Sequence, residues 1–301
     1  MIKKKYIFAG CIIGFIALWV GTYCFFKKTD FSGLPASKYN LGLFRKTTSK
    51  KQSSAIIPDN QNVSFIIQAD SISSAGRLRQ AHQLGNNLSE NDRLAIAEYL
   101  KHGPNNDIEY VIKNDLMNKL RNQKEIPPEL TELLIGLAND RKQDIVVRSY
   151  ALQHLRPQYE QTKDEAIKEI FYSALDEHQS EMAGVALLAL RYLVTEYPNE
   201  FDRQLIATKV LDIVKDKDTY VLTKISAIQV AASLKIPEAE ETIRLFASDV
   251  KQPFALRLAA IAGLGDMGTT ADLTMLSEIQ VSKGPLSKAA MAAIRKIKNK
   301  Y

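Results

Sequence analysis

The stretch FALRLAAIAGLGDMG, Phe254 to Gly268, carries small residues at helical spacing and then runs into a Gly-containing turn. Leu256, Ala259, Ala260, Gly263 and Leu264 fall on one helix face. The same arrangement recurs in PLSKAAMAAI, where Leu286, Ala289, Ala290, Ala293 and Ile294 take the matching places. It recurs in IVVRSYALQHL through Val147, Tyr150, Ala151 and Leu155, and more loosely around Ala186 and Ala227. The equivalent small residues are Ala151, Ala186, Ala227, Ala260 and Ala290, separated by 35, 41, 33 and 30 positions. A helical motif returning at that interval predicts stacked helix pairs, because one pair cannot bury its apolar face alone.

The spacing places pairs at about 129–155, 163–195, 201–233, 237–264 and 269–298, preceded by helices near 72–85, 89–102 and 105–122. Punctuation agrees. Ser89 opens one helix with a capping side chain and an acidic first turn. Pro237 opens another at a position where its missing N–H costs nothing. Gly103-Pro104, Pro127-Pro128 and Pro198-Asn199 mark breaks. On the second helix of each pair, Ala and Gly let neighbouring axes approach to about 8 Å, while Leu and Ile supply apolar area.

The N-terminus reads differently. MIKKK precedes Tyr6 to Phe26, a run of 21 residues without a charge, followed by Lys27 and Lys28. As a helix it would be about 31 Å long, enough to cross a hydrocarbon core of about 30 Å. A cleavable signal peptide is the competing reading, but this run is longer and ends in Tyr-Cys-Phe-Phe rather than a small-x-small site. The division is therefore a membrane anchor over 1–28, a flexible linker over 29–70 and a helical body over 71–301. Residues 1–70 hold 10 Lys+Arg and 3 Asp+Glu, a net of +7, while 71–301 hold 30 and 31, a net of −1. The basic excess is juxtamembrane, which argues against a nucleic-acid-binding body. The short Lys-rich head favours N-in, C-out, which in a bacterium puts the body in the periplasm or outside the cell. Gly10, Gly14, Ala17 and Gly21 share one stripe of the anchor, and Gly10 with Gly14 forms a small-xxx-small pair suited to self-association. Asn62 to Ala69, NVSFIIQA, reads either as a short strand or as an apolar latch on the first helix.

Both cysteines, Cys11 and Cys24, lie in the anchor, so the body has no disulfide, zinc knuckle or Cys nucleophile. The four histidines, His82, His102, His154 and His178, show no metal-ligand spacing. No nucleophile elbow, P-loop or dinucleotide fingerprint is present. Leu264-Gly-Asp-Met-Gly268 follows a helix rather than a strand, so its glycines read as a helix C-cap and tight turn. The acidic clusters Asp176-Glu177, Asp212/Asp216/Asp218 and Glu238/Glu240/Glu241 sit at helix ends. The sequence thus predicts no catalytic, cofactor-binding or metal-binding residue.

The Leu256-Arg257-x-Ala259-Ala260 core, the Leu264-Gly265-x-x-Gly268 turn and the following Leu273 and Leu276 resemble HEAT repeats of the bacterial type also seen in phycobilisome-lyase-like proteins. The resemblance covers about residues 129–298. It implies an all-α, right-handed α-solenoid and an Asp–Arg pair at the turn, here Asp144 with Arg148. It also implies a protein- or peptide-binding scaffold rather than an enzyme. A lyase-related enzyme or accessory protein and a nucleic-acid-binding HEAT protein are the alternatives.

Overall fold

The computed structural model describes residues 63–68, 73–281 and 283–301. The anchor, most of the linker, and Gly10, Gly14, Ala17 and Gly21 lie outside the described residues. Among the described residues no helix is long and apolar enough to cross a membrane, and none is in a strand. The body is all-α.

In chain order the helices are α1 (Val63–Ile67), α2 (Ser74–Gln83), α3 (Glu90–His102), α4 (Asp107–Arg121), α5 (Leu130–Asn139), α6 (Ile145–Thr162) and α7 (Glu165–Ala174). There follow α8 (Met182–Glu196), α9 (Arg203–Lys215), α10 (Val221–Leu234), α11 (Glu240–Ser248), α12 (Phe254–Met267), α13 (Leu273–Val281) and α14 (Pro285–Lys298). Each odd-numbered helix from α3 onward packs on the even-numbered helix after it, and α2, α4, α6, α8, α10, α12 and α14 touch one another in succession. All belong to one compact unit, Asn60–Tyr301.

Local chemistry sets the helix starts. The Ser89 hydroxyl accepts from the Asp92 N–H at 3.1 Å and opens α3. The Asp164 and Asp202 carboxylates cap α7 and α9 in the same way. Pro237 opens a 3₁₀ turn that leads into α11. Ala151, Ala186, Ala227, Ala260 and Ala290 lie fully buried, one on each of α6, α8, α10, α12 and α14. Their small volume is what the close succession of even-numbered helices requires.

Two expectations need correction. The helix of the opening stretch does not end at Leu264; α12 continues through Gly265, Asp266 and Met267. Gly265 is no turn residue. A Cβ there would stand 3.0 Å from the Ala293 backbone of α14, so the glycine serves helix contact. Gly268 does end the helix, but with extended backbone at φ −65° rather than a left-handed cap. A Cβ on it would meet the Leu264 carbonyl at 2.5 Å and the Asp272 carboxylate at 2.7 Å. The second correction concerns the expected Asp144–Arg148 pair. The short Asp144 side chain caps its own helix through the Val146 N–H at 2.8 Å and accepts the Tyr110 hydroxyl at 2.9 Å. Arg148 reaches into the next hairpin, to Glu177 at 2.7 Å.

Of the two readings for Asn62 to Ala69, the structure takes the latch, in helical form. Val63 and Ile66 of α1 are buried against α2 and α3.

Candidate interaction surface

Three features of the body carry polar chemistry. The first is a buried network at its N-terminal end. Arg77 of α2 donates to the Ile66 carbonyl at 2.6 Å, to both Glu109 carboxylate oxygens at 2.6 and 3.0 Å, and to the Tyr99 hydroxyl at 2.8 Å. Tyr99 donates in turn to Glu109. Lys113, one turn along α4, is buried too; it donates to the Gly103 carbonyl at 2.9 Å and to Asn105 at 2.8 Å. Burial alone would raise the Glu109 pKa, but the hydrogen bonds from Arg77 and Tyr99 and the charges of Arg77 and Lys113 hold it below the usual value. Burial and the Glu109 carboxylate push the Tyr99 phenol well up. Every strong donor here already has a partner, so this is a clasp that fixes α1 to the body.

The second feature runs along the turns inside the hairpins. The Gln143 amide donates to the Lys101 carbonyl at 2.9 Å and accepts from Asn105 at 3.3 Å, joining the α5–α6 turn to the α3–α4 turn. Arg148 to Glu177, and Ser149 to Glu181, join α6 to the α7–α8 turn. The Tyr220 N–H donates to the His178 carbonyl at 2.9 Å, the His178 ring faces Asp216 at 2.9 Å, and Thr223 donates to the Ser180 carbonyl at 2.5 Å. Four successive turns are thereby tied. Further on, Asp249 accepts from the Lys251 N–H and the Gln252 side chain of its own turn, each at 2.9 Å. Among the described residues no ion pair joins the turns that precede α10, α12 and α14 to one another.

The third feature is an aromatic notch on the opposite rim, between the α6–α7 and α8–α9 turns. Tyr159 and Phe201 meet edge to face at 5.1 Å, with Tyr197 alongside at 6.3 Å from Tyr159. The Lys163 ammonium stands 3.1 Å from the centroid of the Tyr197 ring, and the Tyr159 hydroxyl donates to Glu200 at 2.5 Å. Next to this cluster is an open notch of about 360 Å³ lined by Lys168, Tyr172, Glu200, Phe201, Asp202 and Leu205.

The histidines do not converge. His82 faces Asp115 at 3.5 Å, His102 lies near Glu98 at 3.7 Å, and His178 faces Asp216. His154 is buried between α4 and α6, where its Nε2 is 3.1 Å from the Asn114 amide oxygen. Burial, reinforced by the Arg121 charge, pushes its pKa down to about 3 and keeps it neutral. Among the described residues no three His, Cys, Asp or Glu side chains gather as a metal site would need. The acidic clusters at the helix ends have structural partners: Lys209 holds Asp176 at 2.7 Å, and Arg244 bridges Glu240 and Asp272 at 2.6 Å each. Of the C-terminal basic residues, Lys296 pairs with Asp266 and Lys300 donates to the Asp266 carbonyl, both at 2.7 Å.

The chain matches no protein-family model and no curated protein.

Proposed function

We propose that α2 to α14 form a right-handed α-solenoid of HEAT-like hairpins, a scaffold with no catalytic step that binds a protein or peptide partner. One observation carries this reading. The even-numbered helices lie side by side, each touching the next, so their outward faces make one continuous strip of surface. A strip of that kind suits an extended partner. The uncharged run Tyr6 to Phe26 supports a single-pass anchor, with the N-terminus in the cytoplasm and the body in the periplasm. Gly10, Gly14, Ala17 and Gly21 give that anchor a face for pairing with a second copy.

The test is photo-cross-linking in native membranes from exposed positions on the strip, Gln153 of α6 and Met291 of α14. The reading expects one protein captured from both positions and not from Glu132 on α5. Capture of nucleic acid, or of nothing above the Glu132 control, would remove it. Gly14→Ile should abolish self-association of the isolated anchor in a membrane two-hybrid format.

A further inference from the structure

Arg121, Arg156 and Arg191 follow one another at intervals of 35 residues, on α4, α6 and α8. Because α4 touches α6 and α6 touches α8, they hold equivalent places on neighbouring helices, whose axes lie about 8–10 Å apart. Tyr110 of α4 donates to Asp144, and Asn114 meets His154 further along, so α4 and α6 run parallel. One turn beyond stand Asn118 and Gln158. Long helical side chains lean toward the helix N-terminus, and Arg121 leans back along this seam, donating to the Asn118 amide oxygen at 3.2 Å. Its Nε is buried and has no partner, and neither has the buried Gln158 amide oxygen. Among the described residues no carboxylate forms an ion pair with Arg121. Arg156 pairs with Glu160 at 3.5 Å and lies 4.3 Å from the centroid of the Tyr192 ring. Burial and the Arg156 charge hold the Arg121 pKa below its usual value, and Glu160 opposes them. The charges here are the three arginines against Glu160 and Glu196, a net of +1. Asp115 and Lys119 face the α2 side, toward His82 and the His82 and Leu84 carbonyls, and Lys124 and Glu125 in the next turn cancel.

We infer that the seam between α4 and α6 seats a carboxylate of an acidic peptide, held between the guanidiniums of Arg121 and Arg156. Two like charges at one seam, one of them with an unpaired buried N–H, are unfavourable until an anion comes between them. A carboxylate answers both needs, because its two oxygens accept from two guanidiniums at once. Turning the Gln158 amide over puts its NH2 where the unpaired oxygen lies and adds a further donor. Glu160 does not fill the seat, since Arg156 and the Tyr192 hydroxyl already hold its carboxylate. The cationic stretch is short. The next helix of the strip, α10, has no charged residue but the buried Lys224. An oligonucleotide needs cations along its whole length, whereas a peptide with one acidic residue among uncharged ones needs them only at the seat. That the carboxylate belongs to a peptide rests on the proposed reading of the strip; the geometry of the seat does not.

The test uses the full chain in phosphatidylcholine nanodiscs and the fluorescence anisotropy of a labelled peptide of alternating Glu and Ala. Its counterpart with Gln in place of Glu is the control. The Glu peptide should bind saturably and the Gln peptide should not. Arg121→Gln and Arg156→Gln should each weaken binding about tenfold, the loss expected for a charged hydrogen bond. Arg141→Gln, at an exposed arginine in the α5–α6 turn, should leave it unchanged. Because Arg121 has no carboxylate to lose, Arg121→Gln should leave the melting temperature of the peptide-free chain unchanged or raised. Equal binding of the Gln peptide overturns the inference, as does an equal loss in Arg141→Gln. So does weakened binding accompanied by a lowered melting temperature in Arg121→Gln, which would make that arginine structural. A single-stranded oligonucleotide that binds through Arg121 more tightly than the Glu peptide overturns it too. Photo-cross-linking from Gln153 separates the two readings. A protein captured as well by Arg121→Gln as by the unaltered chain keeps the strip and removes the seat. Glu-peptide binding lost in Arg121→Gln, with no protein captured from Gln153, keeps the seat and removes the strip.

Discussion

Arg148 and Arg257 hold the same position in two hairpins, four residues after the turn, and each sends its Nε back to a carbonyl ten residues earlier. For Arg148 that distance is 2.9 Å to Ala138, and the other end of the guanidinium crosses to Glu177. For Arg257 it is 3.4 Å to Ala247, and among the described residues no ion pair follows. The difference runs through the whole body. Its N-terminal half is pinned by buried or half-buried polar bridges between hairpins. Its C-terminal half has fewer such bridges, Arg244 to the buried Asp272 at 2.6 Å and Lys296 to Asp266 at 2.7 Å, and brings small residues, Ala260, Gly263, Gly265, Ala290 and Ala293, together at close range. One repeat design is therefore held in two ways. Polar bridges fix register but require every partner in place, whereas alanine packing tolerates the loss of any polar group but no added volume.

The sharpest way to break this contrast is at the clasp. Arg77→Leu strands the Glu109 carboxylate in the interior and should cost about 3–5 kcal/mol in a denaturant titration. Arg77→Leu with Glu109→Leu should recover most of that loss; if it does not, the polar half is not held by its charges. The matching insult to the other half is Ala260→Leu. It adds volume between α12 and its neighbours and should cost about 3 kcal/mol, with amide exchange accelerating in α10, α12 and α14 before α4 and α6. Next comes the equivalent pair. Arg148→Leu should cost about 2 kcal/mol, because Glu177 and the Ala138 carbonyl lose a charged donor. Arg257→Leu should cost less than about 1 kcal/mol. Equal costs would erase the distinction between the halves.

Acid offers a subtler probe. His154 is neutral in the folded protein with a pKa of about 3, below the value near 6.5 of an unfolded histidine. As pH falls through that window the unfolded chain gains a proton that the folded chain refuses. Stability then declines by up to about 1.4 kcal/mol per pH unit. Glu109, also held below its ordinary pKa, contributes stability above its unfolded pKa and loses it as pH drops through its folded value. Both groups sit in the N-terminal half, so exchange in α4 and α6 should rise first on acidification, and His154→Leu should flatten the slope. The smallest effect is expected at the exposed Val281. Val281→Asp should change stability by no more than about 0.5 kcal/mol.

How much of this was legible in the sequence follows from the range of each interaction. Helix periodicity and the recurrence of Ala151, Ala186, Ala227, Ala260 and Ala290 are local patterns, and the helix pairs could be placed from them within a few residues, except that α6 runs past its expected end at 155, through Pro157, to Thr162. The partner of Arg148 could not. Glu177 lies 29 positions away, and which carboxylate arrives there depends on how two hairpins register, which no local pattern encodes. Asp144 looked closer, but a short side chain next to free helix N–H groups caps them first. Arg77 and Glu109, 32 positions apart, share no local pattern either. The cue was there, since Arg77 falls one helical turn before Ala81 on the buried face of α2, but a charge on an apolar face seldom outweighs its desolvation unless a partner is known. Gly265 was misplaced because Gly268 stood three residues away and made a turn the simpler reading. The untied C-terminal turns were invisible for another reason: which turns meet is a property of the assembled stack.

Where the linker joins the body, the Arg77 hydrogen bond to the Ile66 carbonyl has a mechanical consequence. Any pull on the chain from its N-terminal side enters the body at α1, and the first attachments to bear it are Val63, Ile66 and the guanidinium that grips the backbone between them and α4. The load is shared across α2, α3 and α4 before it can peel a single helix, so the clasp acts as strain relief, as a cable gland does where a lead enters its housing.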